Sequence, residues 1–207
     1  MIILSVSCES ANTNTPTPLV TPEISPNWWT SWLAQPVCKP SCWQNITPGM
    51  TTMKEAVSIL ENSPEIKIKF QSKDGIDWTF KQNKDEGGTL RASQEGTVRI
   101  IWLGSVSDRK LLLKTIIASY ANPEYVKPYD CREGMCETVL VYPDFGMLLN
   151  VFIENTGKMN NPQIKILPDT IVDRVYFIER GMENFKKIPD FQDYDLLMKW
   201  KGYGEYP

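Results

Sequence analysis

Between residues 64 and 104 the chain offers three strand-like runs, the first two of which alternate apolar and polar side chains one for one. A period of two places every second side chain on one face of an extended strand, so each run offers an apolar face that has to be covered. "EIKIKF" carries Ile66, Ile68 and Phe70 on that phase, "IDWTFKQ" carries Ile76, Trp78 and Phe80, and "TVRIIWLG" is the third, with turns at Gly87-Gly88 and Gly96. The cover stands just upstream. "TTMKEAVSILEN" opens with Thr52 and Glu55 at the spacing of a capping box and repeats Met53, Ala56, Val57 and Leu60 at helical intervals until Pro64 stops it. The order then repeats. "SDRKLLLKTIIASYANPEYV" predicts a helix with Ser107 or Asp108 as cap and Asn122-Pro123 as stop, followed by "CETVLVYPDFGMLLNVFIEN", two strands about a Pro143–Gly146 turn. The expected fold is therefore α+β. It has two helix-plus-antiparallel-sheet units, 37–104 and 105–155, packed as one domain, and a third part, 156–207, with a strand in "TIVDRVYFIE" and a helix over Phe191, Tyr194, Leu197 and Met198. The closing "KGYGEYP" reads as an aromatic cap packed on the core.

Five cysteines bear on the compartment. "MIILSVSC" is a short apolar run that reaches Cys8 through small residues and resembles a truncated signal with a bacterial lipobox, although Ser5 stands where leucine is usual and basic residues are missing before it. Residues 1–8 are read as that segment, with Cys8 the lipidation site, and 9–36 as a disordered Thr/Pro-rich linker. Setting Cys8 aside leaves an even set, Cys38 with Cys42 and Cys131 with Cys136, each pair close in sequence around a turn-former. Two disulfides in an oxidising compartment follow. Local closure is the simplest of three connectivities; a four-cysteine zinc site would favour two-residue spacers that neither pair has. The protein is expected to be extracytoplasmic and membrane-anchored through Cys8, with secretion as the alternative.

Charge and composition exclude several functions. Net charge is −3, from 25 acidic and 22 basic residues spread along the chain, which gives no single-sign field for nucleic acid. The chain has no histidine, which removes the commonest general base and metal ligand. No nucleophile elbow, phosphate loop or dinucleotide fingerprint occurs, so no catalytic residue, cofactor or metal site is assigned. Asp74, Asp77, Asp85 and Glu86 gather around one hairpin and Asp190, Asp193 and Asp195 around one helix start; both sets read as solvated surface, since neither follows a calcium-loop ladder.

"CWQNITPGMT", with the helix that follows, is similar to an uncharacterised family of bacterial lipoprotein-like proteins that carry a PCW..ITPG.T..EA signature, with Ser41 here in place of its proline. "YANPEYV", "VYPDFGMLLNVF" and "WKGYGEYP" extend the resemblance over most of residues 36–207. More distantly the turn and helix resemble the outer-membrane assembly lipoprotein BamE and the tandem-repeat β-lactamase inhibitor proteins. That resemblance implies α+β modules whose task is protein contact. The function expected is thus a binding or structural module that contacts another envelope protein, with no nucleic-acid partner. Its contact face would carry Trp78, Trp102 or Tyr142, residues that are more often core than interface; Trp28, Trp29 and Trp32 are read as packing on the domain or lying near a membrane surface. A binder of a glycan or peptide using the same aromatics is the alternative, and an enzyme of unknown class comes third.

Overall fold

The computed structural model describes Leu33, Cys38 and residues 41–104, 111–132, 134–158, 161–188 and 197–207. Helix α1 (Met53–Asn62) begins as its sequence dictates: Thr52 accepts from the Glu55 N–H at 3.2 Å, and the Thr52 N–H donates to the Glu55 carboxylate at 2.8 Å. Ser63, extended before Pro64, ends it. The strands β1 (Ile66–Gln71), β2 (Gly75–Phe80), β3 (Gly87–Ala92) and β4 (Val98–Gly104) form an antiparallel meander. β5 (Leu111–Leu112) leads into the two-turn helix α2 (Leu113–Ser119). Then come β6 (Tyr125–Arg132), β7 (Gly134–Tyr142), β8 (Met147–Asn155), β9 (Ile164–Ile166), β10 (Ile171–Ile178), the single-turn helix α3 (Met182–Phe185), β11 (Met198–Lys199) and β12 (Gly204–Tyr206).

This is not the two-unit α+β architecture expected from the sequence. Among the described residues the chain builds one antiparallel sheet of 12 strands, in the order β1-β2-β3-β4-β10-β8-β7-β6-β11, with β5 on β10, β12 on β9 and β9 on the end of β8. β10 is the reason. It comes from the part expected to be a C-terminal addition, yet it inserts between β4 and β8, pairing Phe177 with Ile101 on one side and with Met147 on the other. Neither unit can close on its own, because the edge of each is completed by that strand. Helix α2 is also shorter than expected: its N-cap is Leu112, and Ser107 and Asp108 lie outside the described residues. So do Phe191, Tyr194 and the acids Asp190, Asp193 and Asp195, while Met198, expected at the end of a helix, pairs with Val126 in β11.

Both sheet faces are packed. One carries Ile76, Trp78, Leu90, Ile101, Leu103, Leu140, Leu149, Val151, Val175 and Phe177 beneath α1 and α2. The other carries Val139, Val141, Leu148 and Ile178 under Phe185 of α3 and Ile188. The turn before α1 is fastened to β4, since the Gly49 N–H donates to the Val98 carbonyl and the Val98 N–H to the Thr51 carbonyl, each at 2.8 Å. Pro143–Phe145 form a 3-10 turn and Gly146 leaves it at φ 56°, a left-handed conformation; a Cβ there would strike the Ile178 carbonyl and, at 2.7 Å, Ser41 of the cysteine loop. The tail packs as expected of it, with Trp200 stacked on Tyr206 at 6.0 Å, and it also adds β12 to β9.

Candidate functional site

Disulfides join Cys38 to Cys42 with Cα atoms 5.6 Å apart, and Cys131 to Cys136 across directly paired positions of β6 and β7. Beside the first, Trp43 is buried and stacks on Trp78 at 5.1 Å, which places Trp78 in the core. Tyr142 is also buried, in edge contact with Phe145 at 6.3 Å, and its hydroxyl has no hydrogen-bond partner among the described residues. Trp102, of the three candidate aromatics, is the one that reaches the surface. Cys8, Trp28, Trp29 and Trp32 lie outside the described residues. The two disulfides are compatible with an extracytoplasmic location, and among the described residues no helix is long and apolar enough to cross a membrane.

Trp102 sits on the sheet face opposite α1, where Gly104 leaves room for it: a Cβ on Gly104 would lie 3.0 Å from the indole. Arg174, paired with Gly104 in the next strand, brings its guanidinium to 6.0 Å from the ring centroid. From there a polar line crosses β10, β8, β7 and β6. Arg174 holds Asp173 at 3.2 Å and Glu137 at 3.5 Å, and the Asn150 amide donates to Glu137 at 2.6 Å and to the Tyr129 hydroxyl at 3.2 Å. Burial pushes the Asp173 carboxyl up against the pull of Arg174, and burial together with Glu137 pushes the Tyr129 hydroxyl far above its ordinary range. Burial acts to lower Arg174, but its bond to Tyr176 and the charges of Asp173 and Glu137 outweigh it, so the cation is held firmly. Arg174, Glu137, Tyr129 and the Asn150 amide N–H groups are engaged with one another, while the buried Asn150 Oδ1 has no hydrogen-bond partner among the described residues; the bonds of this line tie neighbouring strands together.

The acidic hairpin, read from the sequence as solvated surface, does not converge on a site, and Glu86 departs from that reading by being buried. Asp77 pairs with Arg91 at 3.1 Å and accepts from Thr89 at 2.9 Å, and Asp74 and Asp85 stand in exposed turns. No three potential metal ligands gather among the described residues.

A different place is open. On its β10 side β8 is paired up to Val151, opposite Val172, and next at Asn155, opposite Ile164; between them Phe152, Ile153 and Glu154 have strand partners only in β7. Residues 165–171 bow away from β8 and return through a turn in which the Leu167 N–H donates to the Thr170 hydroxyl at 3.0 Å. The space between is a groove of about 670 Å³. Buried Ile153, Ile164 and Tyr206 form its floor, and its rim carries Phe152, 43% exposed, Leu167, 43%, and Ile171, 40%. These are three of the seven large apolar side chains exposed among the described residues, so they form a cluster rather than a scatter. Exposed Glu154, Asp169 and Glu205 stand around them against a single cation, Lys165.

Trp78, Trp102 and Tyr142, the aromatics favoured from the sequence, do not line this groove. One signal was readable: in "MLLNVFIEN" Phe152 falls on the phase of Asn150 and Glu154, an apolar residue where the alternation calls for a polar one. Comparison with family models, with curated proteins and with solved structures finds no match to this chain.

Proposed function

We propose that this protein is an exported module, tethered to the membrane through a lipid on Cys8, that contacts another protein of the cell envelope through the groove beside β8. The observation that carries the reading is the cluster of Phe152, Leu167 and Ile171, kept in water around an opening where the sheet interrupts its own pairing. Three large apolar side chains held in solvent give up burial free energy that a partner can recover, which is the usual signature of a contact surface. The disulfides support an oxidising compartment, and the lipobox-like "LSVSC" supports the tether.

A photo-crosslinking amino acid placed at Phe152, and as control at exposed Lys67 on β1, tests the contact in cells producing the full chain. A discrete protein adduct from position 152, absent from 67 and lost on Leu167→Glu, is the expected result. Adducts of equal pattern from both positions, or none from 152, would refute the groove as a contact site. Mass spectrometry of the mature N-terminus decides the tether separately: a lipid-modified Cys8 supports it and an unmodified Cys8 removes it.

A further inference from the structure

We infer that the groove selects an extended peptide segment of its partner that has an apolar anchor flanked by cationic side chains; this rests on the reading of the groove as a protein-contact site. The apolar half follows from the rim. Phe152, Leu167 and Ile171 surround the opening, and at about 670 Å³ it lies in the roughly 300–1,000 Å³ range of sites that enclose a bound group, enough for an anchor side chain and its neighbours. Its floor is apolar too, with Ile153 and Ile164 buried beneath. An extended segment is favoured over a helix because the walls are strand β8 and the bowed chain 165–171, which approach again at both ends where β8 meets β9 and β10. A helix, a cylinder about 10 Å across, would need walls that stay apart along its length.

Charge decides the flanks. Three exposed carboxylates, Glu154, Asp169 and Glu205, border the groove, with Lys165 as the one cation among its lining residues. None of the three carboxylates is engaged in the ion pairs found among the described residues, which lie elsewhere on the sheet. An anionic segment would meet uncompensated like charge there, whereas Lys or Arg beside the anchor would meet its complement. The excess is local. The whole chain carries only −3, so the groove is more acidic than its share of the surface requires.

The test uses two capped pentapeptides, Lys-Ile-Phe-Ile-Lys and Glu-Ile-Phe-Ile-Glu, titrated into isotopically labelled full chain and followed by amide chemical shifts. The expected result is saturable shifts confined to residues 152–156 and 163–171, with the lysine peptide bound about tenfold more tightly at low salt and the gap closing as salt is raised. In a Glu154→Lys/Glu205→Lys variant the preference should reverse. Both sites are exposed, so the variant is expected to fold. Equal binding of the two peptides in the groove would overturn the charge assignment while leaving the protein-contact reading in place. Shifts centred on Trp102, or a dimer of this chain whose contact maps to the groove, would overturn the proposed occupant. If neither peptide shifts the groove amides and position 152 yields no protein adduct in cells, the inference and the reading beneath it both fall.

Discussion

Tyr142 shows how much a single buried atom can matter. Its ring fills the core at 1% exposure, but its hydroxyl has no partner among the described residues, so folding strips that group of water without a hydrogen bond in return. Tyr142→Phe should therefore stabilise the protein by about 1 kcal/mol, seen as a melting temperature raised by about 2–4 °C. The same burial sets an alkaline limit. Burial pushes the Tyr120 hydroxyl up to about 12, and pushes Tyr142 well above its ordinary range with Tyr203 adding to it. Unfolded tyrosines ionise at about pH 10, so above that pH the unfolded chain holds fewer protons than the folded one and stability falls as pH rises towards 12. Urea midpoints at pH 9, 10 and 11 should drop steadily in the wild type and less steeply in Tyr142→Phe. A midpoint independent of pH would contradict the burial of these hydroxyls. Gly88 poses the opposite problem. A Cβ there would strike the Trp78 ring and, at 2.5 Å, the Trp102 carbonyl, so Gly88→Ala should cost about 1–3 kcal/mol in urea unfolding. These residue-level demands were only partly legible in the sequence. Trp78 and Tyr142 look identical to surface aromatics until the sheet they face is known.

The stretch 38–56 is best understood as an element of attachment. Cys38–Cys42 closes a small loop, Trp43 stacks on Trp78, Gly49 and Thr51 bond to β4, and Thr52 with Glu55 starts α1. Each part tightens the docking of α1 on the first four strands. A loop this short gives about 2 kcal/mol by chain entropy, so Cys38→Ser/Cys42→Ser should lose about that amount without changing what the groove binds. Urea unfolding of the double variant beside the wild type, under oxidising conditions, measures it. An unchanged midpoint would mean the loop is not a fastening. Strand β1 shows why element boundaries were easier to read than element faces. Its alternation put Phe70 on the phase of Ile66 and Ile68, but a bulge between Ile68 and Phe70 pairs Phe70 with Asp77 and turns it outward, 57% exposed. Bulges are set by how a strand fits its neighbour, and one strand's sequence does not carry that information.

At the scale of the molecule, one sheet replaces two units, and that changes how the chain should unfold. Two separable units would unfold in two steps and protect their amides independently. With β10 shared between β4 and β8, the described core should open as one body. Native-state hydrogen exchange is expected to find its slowest amides in β7, β8 and β10, with a common opening free energy extending into β4, and faster exchange in the edge strand β1. Two clusters of amides with unrelated opening energies, split between β4 and β10, would contradict this. The groove belongs to the same scale, because it exists only where β9 and β10 leave β8 at different points.

Local chemistry alone determined a great deal: the capped helix α1, the strand runs, the Pro143–Gly146 turn, the closely spaced cysteine pairs, and the absence of a histidine-based site. Each depends on residues within a few positions of one another, where spacing and backbone preference are decisive. Strand order, the face on which Trp102 rather than Trp78 or Tyr142 emerges, and the opening beside Phe152 were decided by tertiary structure. These depend on which distant strand fills an edge, and many strands of equal apolar character compete for it. Alternation shows that a strand needs a partner and a cover, but the choice of β10 is made by the packing of the whole sheet.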